Sequence, residues 1–187
     1  MKHLIFLTGQ LGVGKTSARV LRRTVEELRK RGYKMGGMLS SERREGGVRV
    51  GFEIIDFNSG RRGWLAHINQ PVGPHVGKYR VNLNDLNEIG ASSILEAIRN
   101  ADIIIVDEIG PMELFSSTFK DAVLQAAKSG KTMLGTIHQR AQDPLITMIK
   151  SNRDVEILEV TYENREQLHN LIIDRVLQSL QKLPLDN

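Results

Sequence analysis

Eight residues near the start of the chain, Gly9-Gln10-Leu11-Gly12-Val13-Gly14-Lys15-Thr16, satisfy every fixed position of G-x-x-x-x-G-K-[ST]. In that pattern successive backbone N–H groups and a helix N-terminus form a cradle for a polyanion, and side chains at Gly12 and Gly14 would obstruct the approach. The spacing therefore predicts a phosphate loop, with all eight residues as nucleotide-binding candidates. Lys15 would bring a mobile positive charge to the β- and γ-phosphates and so serve catalysis too. The Thr16 hydroxyl would face Mg²⁺. A dinucleotide fingerprint fits poorly, because Gly12-x-Gly14-x-x ends in Ser17 where Gly or Ala is required.

A second pattern is Ile103-Ile104-Ile105-Val106-Asp107-Glu108, an apolar run that ends in two carboxylates. Ligands of doubly wound sheets sit at the carboxyl ends of the strands, so Asp107 belongs beside the phosphate loop as the second residue holding Mg²⁺. Glu108 can orient and deprotonate a water facing the γ-phosphate, which makes it the candidate general base. Solvated charge at a strand end is the plainer alternative for both. Glu113, after Gly110-Pro111, is expected to stabilise a helix N-terminus.

Other polar residues carry weaker signals. Arg43 and Arg44 are expected in a glycine-flanked loop after the second strand, where Arg44 could reach the nucleotide or merely join a charge cluster with Glu42 and Glu45. His138 follows an apolar run and could sense the γ-phosphate. Arg165 lies near a helix N-terminus, where a cation gains nothing from the helix dipole, so a base or phosphate contact would explain it. His3, His67 and His75 lack metal-ligand spacing.

These residues need a scaffold, and the chain alternates short β-type runs with helical stretches. Leu4–Thr8, Ile103–Val106, Thr132–Ile137 and Val155–Val160 read as buried parallel strands. Lys15–Arg31, Asn84–Arg99, Ser116–Lys128 and Asn164–Leu180 read as helices, the last with Asn164 as its cap and Gln167 three residues on. No lid-like segment is expected between Ser129 and Val155. Residues 33–79 break the rhythm with seven glycines between Gly36 and Gly63 and two alternating runs, Val48–Phe57 and Trp64–Ile68, joined by Asn58-Ser59-Gly60. The expectation is one α/β domain over residues 1–187, a three-layer α/β/α sandwich. It should have the phosphate-loop strand central, a β-rich insertion (33–79) after the second strand, and a frayed tail at Leu183–Asn187.

Composition narrows the partners. The 187 residues carry 26 Lys plus Arg against 22 Asp plus Glu, a formal charge of +4. That excess suits an anionic ligand and is too small to argue for nucleic acid alone. Aromatic residues make up 5%, little material for a base-stacking platform, so nucleic acid is left without support. Cysteine is absent, which removes disulfides and thiolate zinc sites and suits a reducing cytoplasm. The run Leu4–Leu7 is too short for a signal peptide core or a membrane span, so no membrane association is expected. A cytoplasmic monomer acting on nucleoside triphosphates with Mg²⁺ is the expectation.

Taken with the phosphate loop, several later segments are more specific: Arg44-Glu45-Gly46-Gly47, Gly51-Phe52, Val76-Gly77-Lys78-Tyr79, Asp107-Glu108-Ile109-Gly110-x-Met112-Glu113-Leu114, Gly135-Thr136-Ile137 and Asn164-Arg165. In these the chain resembles the thermophile-type nucleoside-triphosphatase family, whose human member is the cancer-related nucleoside-triphosphatase. The resemblance implies a RecA-like P-loop fold and Mg²⁺-dependent hydrolysis of several nucleoside triphosphates to diphosphate and phosphate, with broad base tolerance. A nucleotide or nucleoside kinase, and a nucleotide-gated RNA- or protein-binding module using Arg43, Arg44, Arg49, Arg61 and Arg62, are the alternatives.

Overall fold

The computed structural model describes residues 2–9 and 14–181, with the side chains of 14 and 15 left aside. Gln10, Leu11, Gly12 and Val13, the Lys15 side chain and the expected tail lie outside the described residues. In chain order the elements begin with β1 (Leu4–Gly9), α1 (Gly14–Lys30), β2 (Met35–Glu45), β3 (Val48–Asp56), β4 (Arg62–His67), β5 (His75–Val76) and β6 (Tyr79–Val81). A helical stretch follows as α2 (Leu83–Asp85), a π-helical turn (Leu86–Ala91) and α3 (Ser92–Asn100). Then come β7 (Ile103–Ile109), a short 3₁₀ turn (Glu113–Phe115), α4 (Ser117–Lys128), β8 (Thr132–Ile137), α5 (Pro144–Ser151), β9 (Val155–Val160) and α6 (Leu168–Gln181).

All nine strands form one sheet in the order β5-β6-β4-β3-β2-β7-β8-β1-β9. From β2 to β9 neighbours run parallel, and from β2 outward through β3, β4, β6 and β5 they run antiparallel. Strand alternation sorts the core into two layers. Ile5, Leu7, Ile103, Ile105 and Leu134 pack with Leu21, Val25 and Leu28 of α1 and Ile172 and Val176 of α6. Leu4, Phe6, Ile104, Val106 and Met133 face the other way, onto Ile94, Phe119, Val123, Leu145 and Ile149 of α3, α4 and α5. Helices on both faces of a mostly parallel sheet make the expected three layers.

Several expectations need correction. β1 is an inner strand between β8 and β9, second from the edge of the sheet, and not its centre. Met35–Met38 of β2 pair with β7 and so belong to the parallel half, leaving the antiparallel insertion to begin in outer β2 and run to Val81. Arg43 and Arg44 lie on β2 and not in a loop, because β2 continues as one arm of a hairpin with β3. Asn164 does not cap α6, which starts at Leu168. Its side chain accepts from the Thr161 amide (2.9 Å) and donates to the Glu159 carbonyl (2.8 Å), holding a turn instead.

The stretch between Ser129 and Val155 also contains a helix that the sequence analysis does not place, α5, capped by Asp143 with Pro144 in the first turn. An aspartate accepting from the Leu145 amide at 2.9 Å and a proline where no donor is needed are start signals legible in the sequence.

Candidate active site

The carboxyl ends of β1, β7 and β8 open into a cleft of about 970 Å³, bounded on one side by the first turns of α1 and on the other by the insertion. Thr8 and Gly9 from β1, Ser17 and Arg22 from α1, Asp107, Glu108 and Glu113 from β7 and beyond, and Thr136 and His138 from β8 all line it. The insertion contributes Glu42, Arg49, Phe52, Leu65 and Val76.

Asp107 continues the alternation of Ile103 and Ile105, which points it to the α1 side of the sheet. It is 4% exposed and accepts from Thr136 Oγ1 at 2.6 Å. Burial raises its proton affinity, while the Thr136 hydrogen bond and the charge of Arg22 pull it back down. Glu108 is half-buried beside it. Burial, then the Asp107 carboxylate, push Glu108 up to about 7, so it exchanges a proton near neutrality as a general base must. Its side chain lies against Gly110, where a Cβ would fall 2.5 Å from Glu108 Oε1, so glycine there makes room for the carboxylate.

Glu113 is also part of this wall. It opens a three-residue 3₁₀ turn but is buried in the cleft wall, and burial, then the charge of Glu108, raise its proton affinity well above the usual range. His138 is pushed down by partial burial, then by Lys150 and Arg140. Among the described residues, three buried polar atoms of this wall find no hydrogen-bond partner: Thr8 Oγ1, Ser17 Oγ and Glu113 Oε2. Such groups cost free energy unless a ligand or water completes them, so a polar occupant is expected here.

Of the sequence candidates, the fold brings Gly9, Asp107, Glu108 and His138 into one cleft, while Thr16 lies in the first turn of α1 next to the lining residue Ser17. It does not bring Arg44 there. Arg44 pairs with Glu42 at 2.5 Å and donates to the Gly47 carbonyl at 2.8 Å, outside the cleft lining. Arg165 also stands apart, its guanidinium 5.4 Å from the Tyr162 ring centroid. The register Gly9↔Val160 puts the turn after β9, which carries Arg165, at the same sheet edge as the end of β1. Sequence reasoning gave no site role to Ser17 or Arg22, named Thr136 and Phe52 only within the family segments, and named Arg49 only in the basic surface of the binding-module alternative. For Thr136 a signal existed, since strand alternation puts it two positions after Leu134 on the α1 face.

Oxygen donors dominate the catalytic end of the cleft. Among the described residues no group of three or more His, Asp or Glu forms a metal cage. Magnesium seldom uses such a cage; it keeps waters and takes one or two protein oxygens plus substrate phosphates, which the hydroxyl of Thr16 and the carboxylate of Asp107 fit.

A family model described as NTPase matches residues 4–173. The chain belongs to the nucleoside-triphosphatase family. It is 45% identical over 163 residues to the nucleoside-triphosphatase THEP1 of Thermofilum pendens (87% of this chain, 88% of that one). It is 41% identical over 183 residues to that of Methanopyrus kandleri (97% and 99%). The crystal structure of THEP1 from Aquifex aeolicus matches at a TM-score of 0.80 and 31% identity, covering 92% of this chain and 98% of that one. The solution structure of a human cancer-related nucleoside triphosphatase matches at 0.78 and 35%, covering 96% and 99%. This triphosphatase therefore has the α/β P-loop fold of its relatives, and it is an enzyme. Among its described residues no helix is long and apolar enough to cross a membrane.

Proposed function

We propose that the enzyme hydrolyses nucleoside triphosphates to diphosphate and phosphate with Mg²⁺, accepting ATP, GTP and other bases. One observation carries this reading: Glu108, with proton affinity lifted to about 7, stands beside buried Asp107 at the strand edge where α1 begins. Gly9 through Thr16 cradle the phosphates, with Lys15 neutralising charge at the β- and γ-phosphates. Thr16 and Asp107 would hold Mg²⁺, which when bound neutralises charge developing on the transferred phosphoryl group. Glu108 takes the proton from a water whose oxygen bonds to the γ-phosphorus, while the bridging P–O bond breaks and the diphosphate leaves with its electron pair. Arg44 and Arg165 both stand outside the cleft lining beside partners of their own, so the reading assigns them no contact with the base. The absence of cysteine supports a cytoplasmic enzyme, and a single-domain monomer is the simplest assembly for one sheet containing the whole site.

Replacing Glu108 by Gln tests the reading. The amide keeps shape and hydrogen bonding but accepts no proton. Single-turnover hydrolysis should fall by about 10²–10⁴-fold while triphosphate affinity stays near wild type. Hydrolysis within a few-fold of wild type would place the base elsewhere, with His138 the next residue to change. Asp107→Asn should weaken Mg²⁺-dependent binding as well as turnover.

A further inference from the structure

Thr136 donates its Oγ1 hydrogen to Asp107 Oδ1 over 2.6 Å, and each of the two side chains is 4% exposed. The terminal torsion of an aspartate is broad and nearly two-fold, so a carboxylate with no fixed donor samples several settings. A donor anchored at one oxygen selects one of them. Thr136 is such an anchor because its place is set by backbone pairing. β8 runs parallel to β7, with Gly135 opposite Val106. The two strands approach so closely there that a Cβ on Gly135 would lie 2.2 Å from the Val106 carbonyl oxygen. Thr136 follows immediately, β-branched and restricted about its own first torsion. On the other side Arg22 reaches over from α1, its guanidinium tethered to the Ser40 carbonyl at 3.0 Å.

From this geometry we infer that Thr136 is a positioning residue of the triphosphatase. Its hydroxyl holds Oδ1 of Asp107 so that the carboxylate's other oxygen is the one offered to the divalent cation accompanying the substrate. Thr136 touches neither phosphate nor the reacting water; it acts through Asp107. The inference rests on the reading of Asp107 as a cation-facing residue. Groups that orient a metal-binding side chain typically contribute about 10–100-fold to metal affinity or activity.

The experiment measures equilibrium binding of a fluorescent, non-hydrolysable ATP analogue with Mg²⁺ and with EDTA, for wild type, Thr136→Val and Thr136→Ser. In Thr136→Val the tightening produced by Mg²⁺ should shrink by about 10–100-fold. Affinity in EDTA should hold within about two-fold, because no phosphate contact is lost. Thr136→Ser, which restores the hydroxyl, should return most of the Mg²⁺ response. In steady-state hydrolysis the Mg²⁺ concentration for half-maximal rate should rise in Thr136→Val, with kcat recovering at high Mg²⁺. A wild-type Mg²⁺ response in Thr136→Val would overturn the inference. So would a Thr136→Ser protein as impaired as Thr136→Val, or an equal loss of affinity in EDTA, since either marks packing and not the hydroxyl. Should Thr136→Val fail to fold, Thr136→Ala against Thr136→Ser makes the same comparison. The wild-type arm separately tests the metal reading: if Mg²⁺ leaves wild-type affinity unchanged, Asp107 does not face a cation and the role given to Thr136 falls with it.

Discussion

Glu113 is 2% exposed, its Oε2 finds no partner among the described residues, and burial followed by the charge of Glu108 lifts its proton affinity well above the ordinary 4.5. A carboxyl group held neutral in the folded state has a defined effect on stability. The unfolded chain releases this proton near pH 4.5 while the folded chain keeps it, so each pH unit above that point favours unfolding, by about 1.4 kcal/mol per unit until the folded group also ionises. Glu113→Gln removes this penalty. The variant should gain stability over wild type between pH 5 and pH 8 in urea unfolding, and an equal difference at both pH values would show Glu113 ionised in the fold. Glu108 titrates in a functional window. As the proposed general base it acts only when deprotonated, so kcat/KM should climb as pH rises through about 7 and then level off. That rising limb should be absent from Glu108→Gln, which a pH profile of both proteins from 5 to 9 checks.

Among the elements, β7 and β8 determine where the chemistry sits. Asp107 and Thr136 meet because two parallel strands are packed to within backbone contact at Gly135. Gly135→Ala should overpack that contact and cost about 1–3 kcal/mol, read as a lowered Tm, with turnover falling further than stability explains. The loop from β8 to α5 is pinned at both ends. Lys150 donates to the Gln139 carbonyl at 3.0 Å, and Lys120 meets Asp143 at 3.2 Å while Asp143 caps α5. Asp143→Ala should cost about 1 kcal/mol, the usual worth of such a cap, measurable by thermal unfolding.

For the whole molecule, the cleft is closed on one side by a sheet half that strand order alone could not foretell, so ligand binding and global stability should be linked. A non-hydrolysable triphosphate with Mg²⁺, at about one hundred times its dissociation constant, should stabilise the fold by about 2.7 kcal/mol. The rise in Tm should vanish in EDTA and in Asp107→Asn, and a rise unaffected by either would separate nucleotide binding from the metal. Much of this protein was legible from local chemistry. Asp107 and Glu108 after an apolar run were readable as lying toward the carboxyl end of a parallel strand, because a strand buried on both faces is mostly apolar; that β7 runs on to Ile109, past an irregularity in its pairing with β8, was not. The α/β alternation followed from the same periodicity, and Asp143-Pro144 carried a readable start for α5. What the chain could not state by itself is which strand lies beside which. Hydrophobic patterns specify faces and not neighbours, so the placement of β1 second from the edge and the continuation of β2 into the insertion arose only from packing. The pairing that carries Arg44 to Glu42 arose in the same way. Burial is likewise collective. Glu113 reads as an ordinary acidic residue at the start of a helical turn, and only the assembled cleft, by removing water from around it and setting Glu108 beside it, makes it a proton-holding wall of the active site.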